Sequence, residues 1–203
     1  MPDSDGLVLT GSVSLRAQSW LAEHAVFGTA LLPGTAFVEM ALRAGSEVGA
    51  GAVEELVLEA PLLLADEEDV RLHVSVTGAD EHGRRTVIVR SRSDSDEEWT
   101  VHARGVVAPS VDSAPAAPAD VWPPVDAEKV DVSALYDEFA AAGYDYGPLF
   151  QGVRAVWRRS GEVFAEVGLP HDESTGAGIG AGIGTGIGAG AGAGAGFGVH
   201  PAL

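Results

Sequence analysis

The side chain best suited to proton transfer in this chain stands in an apolar run, His24-Ala-Val-Phe-Gly28-Thr-Ala-Leu-Leu-Pro33-Gly34. An imidazole has an ordinary pKa of ~6.5 and serves as a general base near neutral pH. Gly28 allows a tight turn, and Pro33 fixes φ where a helix begins. Gly34 and Thr35 then leave N–H groups at a helix N-terminus, where the dipole favours developing negative charge. Gly28, Pro33 and Gly34 are thus the shaping residues, and the N–H of Gly28 or Gly34 is a candidate donor to an oxyanion. A competing reading stands beside this one. A lone histidine among Ala25, Val26 and Phe27 is more often a hydrogen-bonded core residue.

A second stretch, Gly143-Tyr-Asp-Tyr146-Gly147-Pro148-Leu-Phe150-Gln151-Gly152, combines aromatic rings with turn formers. Gly147 and Pro148 read as shaping a turn. Tyr146 reads equally well as a site residue or as a satisfied tyrosine at that turn.

The two stretches resemble the motifs of one family. The spacing His-x-x-x-Gly-x-x-x-x-Pro from His24 follows Trp20-Leu21 and runs on through Phe37. The Tyr-Gly-Pro block comes later, followed by Ala155-Val-Trp157 and Glu162 through Pro170. In this order they resemble the dehydratase domain of modular type I polyketide synthases. The resemblance covers nearly the whole chain apart from a glycine-rich tract. It implies an α+β double hotdog fold, in which an antiparallel sheet wraps a central helix in each of two lobes. It implies elimination of water from a 3-hydroxyacyl thioester on acyl carrier protein, giving an enoyl thioester.

Under that resemblance His24 is the base that takes the α-proton. Tyr146, Gly147, Pro148, Phe150 and Gln151 line the substrate tunnel or orient the acid. The acid is an aspartate, expected beyond Leu203. The chain is therefore expected to be truncated at both ends, with the first lobe essentially complete, the second stopping before its central helix, and no activity by itself. No metal and no cofactor are implied, since the substrate arrives on the carrier protein's phosphopantetheine arm. The implied partners are acyl carrier protein, neighbouring synthase domains and a second copy in a homodimer. Two alternatives stay open: a non-catalytic double-hotdog dimerisation or interaction module, and a product-template-like domain that guides cyclisation.

These residues need elements to position them. From Thr35 to about Gly49, apolar Phe37, Met40, Ala41, Ala44 and Val48 recur at helical spacing, and Val38 and Leu42 widen the apolar surface. A helix this apolar needs wrapping. Leu7 to Leu15 reads as a strand pair or one bent strand. Val53–Leu58, Asp69–Thr77, Thr86–Arg92 and Trp99–Val107 read as strands. In the second of these Val70, Leu72, Val74 and Val76 alternate with polar residues. A helix followed by strands on short turns fits an antiparallel sheet curled around that helix. Asp126 to Ala142 contains a helical stretch with Ser133 as N-cap, and 151–159 with 162–169 read as a hairpin turning at Ser160-Gly161. The domain reading is a lobe over 1–107, a Pro/Ala-rich linker over 108–124 and a partial lobe over 125–203.

Composition sets outer bounds. Twelve Lys and Arg against thirty Asp and Glu give a net charge of −18. That argues against nucleic acid and anionic membrane surfaces as partners. No cysteine is present, so thiolate chemistry and disulfides are excluded. With no signal-like start and no apolar run of about 20 residues, a cytoplasmic location is expected. His73 and His102 fall on polar strand faces and His82 in a turn, without zinc spacing. Glycine occupies every even position from Gly176 to Gly198. That strict period does not match a phosphate-cradling pattern and reads as an expanded low-complexity loop.

Overall fold

The structure, a computed structural model, describes residues 5–110 and 121–168. In chain order they form Leu7–Val13 (β1), a 3-10 turn at Ser19–Glu23, His24–Val26 (β2), Thr29–Ala30 (β3), the helix Gly34–Ser46 (α1), Ala52–Leu58 (β4), Val70–Val76 (β5), Arg85–Arg92 (β6) and Thr100–Ala108 (β7). Then come Glu128–Val130 (β8), Leu135–Ala141 (α2), Tyr144–Tyr146 (β9), a 3-10 turn at Pro148–Phe150, Val153–Arg159 (β10) and Glu162–Val167 (β11).

The main sheet is antiparallel in the order β1-β5-β6-β7-β4, and α1 lies against it. The β5 alternation sends Val70, Leu72, Val74 and Val76 inward, where they meet Val87 and Val89 of β6 and Ala36, Phe37, Met40, Ala41 and Ala44 of α1. Each buried Val, Leu or Phe contributes about 1.5–3 kcal/mol. Pro33, extended at φ −60° and ψ 145°, caps α1, and no side chain caps it. A sheet wrapped on one apolar helix is the hotdog arrangement that the sequence predicts. β1 is one continuous strand, paired to β5 from Leu7↔Val76 to Val13↔Val70, which settles the choice left at Leu7–Leu15.

The second half departs further from its sequence reading. The helical stretch expected within 126–142 is there, over Leu135–Ala141, but Glu128–Val130 before it pairs with β10 as a strand. Ser133 is no cap: α2 begins one residue later than that reading needs, with Ala134 at the N-cap position and no side-chain cap, and the Ser133 N–H donates to Asp131 Oδ1 at 2.9 Å. That bond holds the Asp131 carboxyl below its usual range. The hairpin of β10 and β11 is as expected, with Ser160 and Gly161 both at positive φ, and Ala155 and Trp157 face inward. Residues 111–120 of the linker, the tract 176–198 and His171 lie outside the described residues. Among the described residues, no helix is long and apolar enough to cross a membrane.

A third sheet, in the order β3-β2-β9, joins the two halves. It pairs His24 with Tyr146, Ala25 with Asp145 and Val26 with Tyr144. Sequence reading saw two turns here. The structure makes them one ladder, and that ladder carries the candidate site.

Candidate active site

β2 turns into β3 through Phe27 and Gly28, at φ 49° and 74°. Two consecutive left-handed residues make the primed turn of a tight hairpin, and glycine adopts it without steric cost. The turn brings the chain back, so that Leu31 meets His24 twice: its N–H donates to the His24 carbonyl at 3.0 Å, and its carbonyl faces the His24 ring. His24 Nδ1 is 3.0 Å from Leu31 O. A carbonyl only accepts, so Nδ1 carries the hydrogen. In the neutral ring Nε2 is then the bare, basic nitrogen.

Three rings frame this imidazole. Tyr146 stacks on it at 5.3 Å with an interplanar angle of 16°. Phe150 meets it at 5.0 Å and 53°, and Trp20 stacks behind Phe150 at 6.1 Å. His24 is half-buried among them. Its placement is neither that of a core histidine nor that of a solvent-facing one. Phe27, by contrast, is 80 % exposed and lends no cover.

The second stretch is placed by β9 and the turn after it. Gly147 has an ordinary φ of −75°, yet a Cβ there would lie 2.7 Å from Cβ, Cγ and Oε2 of Glu23. Glycine is thus required by close approach. Pro148 begins the 3-10 turn that delivers Phe150, and Gln151 Nε2 donates to the Tyr146 carbonyl at 2.7 Å. Tyr146, Gly147, Pro148, Phe150 and Gln151 are therefore brought to His24 or to the segment beside it.

The oxyanion candidates separate. The Gly28 N–H donates to Asp145 Oδ2 at 2.9 Å and is engaged. Gly34 opens α1 behind the buried Pro33, in the first turn of the helix. One participant was missed. Asp145 lies inside the second motif between two tyrosines and carried no signal of its own. Glu23, whose position beside His24 in the sequence allows it either to influence the imidazole or to face water, is engaged: its Oε2 accepts the Leu149 N–H at 2.8 Å.

The other histidines need one correction. His102 is not on a polar face; it is 4 % exposed. The β6–β7 register jumps from Val89↔Ala103 to Arg90↔Val101, so His102 is the extra residue of a bulge and turns inward with Ala103. Its Nδ1 lies 3.1 Å from Ala60 O and its Nε2 2.6 Å from Ser91 Oγ. His73 does face outward, beside Trp99 at 5.5 Å. Among the described residues no three His, Asp or Glu side chains are grouped to hold a metal ion. A cavity of about 460 Å³ at Asp126, Glu128 and Arg158–Gly161 contains no residue of either motif.

Comparison with known proteins matches this geometry to one family. Residues 1–92 match the family described as polyketide synthase dehydratase domain, and residues 114–203 match the polyketide synthase dehydratase N-terminal domain. The chain is 53% identical over 207 residues to pikromycin polyketide synthase component PikAII of Streptomyces venezuelae, with all of this chain and 5% of that protein covered. It thus spans a small fraction of the length of such relatives. Among solved structures, the dehydratase domain from the terminal module of the rifamycin polyketide synthase superposes with a TM-score of 0.81 at 42% identity, covering 100% of this chain and 70% of that one. The erythromycin dehydratase gives 0.76 at 44%, covering 83% and 63%. The fold is the double hotdog of these domains, and the chain belongs to the polyketide synthase dehydratase family.

Proposed function

We propose that this segment eliminates water from a 3-hydroxyacyl thioester held on acyl carrier protein within a modular polyketide synthase. The observation that carries the reading is the His24 ring itself, with Nδ1 committed to the Leu31 carbonyl and Nε2 bare between Tyr146 and Phe150. Nε2 takes the proton from C2. The C–H electron pair becomes the C2=C3 double bond as the C3–O bond breaks. The hydroxyl leaves as water with a proton from a carboxylic acid, which the family resemblance assigns to an aspartate beyond Leu203. Since the Gly28 N–H is engaged by Asp145, the first turn of α1 at Gly34 is the candidate that remains to polarise the thioester carbonyl.

No step in this elimination draws on a cofactor. Tyr146, Phe150 and Gln151 belong to the channel wall on the His24 side. Acyl carrier protein and neighbouring synthase domains are the partners, and tethering in one long chain supplies the high local substrate concentration that the net charge of −18 does not. The test is to present the segment, within its synthase, with a 3-hydroxyacyl thioester and follow the product by mass spectrometry. Loss of one water is the expected result. Recovery of unchanged substrate from a folded enzyme contradicts the reading and favours a non-catalytic module.

A further inference from the structure

The ladder that seats His24 against Tyr146 is three residue pairs long. Two paired strands of that length are marginal alone. Each motif, however, sends a carboxylate across to a backbone N–H of the other. Glu23, one residue before His24, accepts from Leu149 N–H at 2.8 Å through Oε2. Asp145, one residue before Tyr146, accepts from Gly28 N–H at 2.9 Å through Oδ2. The two contacts lie at opposite ends of the ladder. Backbone bonds reinforce both ends: Gly147 N–H to Glu23 O at 2.8 Å, and Phe27 N–H to Gly143 O at 2.7 Å. Side chains are excluded where the segments touch. A Cβ at Gly147 would strike the Glu23 side chain, and one at Gly143 would lie 2.2 Å from the Phe27 ring.

We propose that Glu23 and Asp145 form a reciprocal clasp that positions His24 between Tyr146 and Phe150. Neither carboxylate touches the reacting atoms; both are positioning residues. Hydrogen bonds to an ionised acceptor are stronger than neutral ones, and each adds to the single backbone bond that closes its end of the ladder. Leu149 precedes Phe150, so the Glu23 bond sets the ring that tilts onto His24. Gly28 closes the hairpin that brings the Leu31 carbonyl to Nδ1, so the Asp145 bond braces the hairpin that carries that acceptor. The consequence for catalysis rests on the dehydratase reading above; the consequence for the position of the imidazole does not.

The test therefore has two readouts on Glu23→Ala, Glu23→Gln, Asp145→Ala, Asp145→Asn and the double alanine variant. The first is the proton NMR shift of the His24 ring, which neighbouring aromatic ring currents displace. The second is a split of kcat from KM for water loss by the segment in its synthase. The alanine variants are expected to move the His24 shift toward that of an unstacked imidazole and to lower kcat by about tenfold or more with KM within about twofold. Glu23→Gln and Asp145→Asn keep an acceptor oxygen and are expected to retain most of both. The core methyl shifts of Val87 and Val89 report folding independently. If one alanine variant fails to fold, the other three single variants still decide. An unchanged His24 shift in a folded alanine variant overturns the proposal, as does a loss in Gln and Asn variants equal to that in the alanine ones. Absence of turnover in the unmodified segment alongside the expected NMR pattern overturns the dehydratase reading and leaves the clasp standing.

Discussion

His24 Nδ1 sits 3.0 Å from the carbonyl oxygen of Leu31, seven residues along the same hairpin. A backbone acceptor cannot be replaced by substitution of its side chain, so the fold itself selects the tautomer. Nitrogen-15 NMR of the neutral ring is expected to show the hydrogen on Nδ1 and a bare Nε2. A hydrogen on Nε2 contradicts the assignment of that nitrogen as the base.

Gly147 and Gly28 are expected to fail for different reasons when replaced by alanine. Gly147→Ala places a methyl 2.7 Å from Glu23 at an ordinary backbone angle, so β9 has to move away from β2. Overpacking of this kind costs about 1–3 kcal/mol. Gly28→Ala meets nothing within 4 Å, but φ is +74°. The cost there is backbone strain of about 1 kcal/mol. Urea unfolding gives the two costs, and the His24 ring shift separates them: Gly147→Ala should displace it and Gly28→Ala should largely spare it.

His102→Ala should destabilise the protein although the residue lies outside the proposed chemistry. It would leave Ser91 Oγ and the Ala60 carbonyl without their partner and open space beside Phe37, whose ring lies 6.0 Å from the imidazole. The expected loss is about 3 kcal/mol. Denaturant unfolding checks it, and a change below about 0.5 kcal/mol would show that the inward bulge is not used for stability.

What the sequence made legible divides along physical lines. Strict alternation in β5 and helical spacing in α1 are local patterns, and both elements stand where they were expected. The His24 and Tyr146 stretches were legible as motifs only through their family resemblance, since a lone histidine in an apolar run reads more often as a core residue. Their union was not. Backbone pairing of β2 with β9 joins residues more than a hundred positions apart, and three-residue strands carry too little period to announce themselves. His102 was misplaced because alternation assumes no bulge. Ser133 was misread because the helix starts one residue later, with Ala134 at the N-cap position, a boundary shift that sequence pattern does not resolve. Asp145 and Glu23 carry no signal alone, since an exposed-looking carboxylate is the commonest of surface features.

The turn before β6 should respond to acid. Asp80 Oδ1 accepts the N–H groups of Arg84 at 2.9 Å and His82 at 2.8 Å. The Arg84 N–H bond, ahead of that from His82, holds the carboxyl below its ordinary 3.8. A carboxyl depressed in the folded state adds stability above its unfolded value and loses it as pH falls through the folded one. The Arg84 amide shift should therefore titrate with a midpoint below 3.8, and Asp80→Asn should remove that titration. A midpoint at or above the ordinary value would show that the bonds do not persist in solution.

The central claim is that Nε2 of His24 removes the α-proton. It is tested most directly by comparing the segment and its His24→Ala variant, each within the synthase, on a 3-hydroxyacyl thioester deuterated at C2. The account predicts that the unmodified protein forms the enoyl thioester with loss of one deuteron and slows under deuteration, while folded His24→Ala forms none above background. Enoyl product from His24→Ala at the unmodified rate would contradict it.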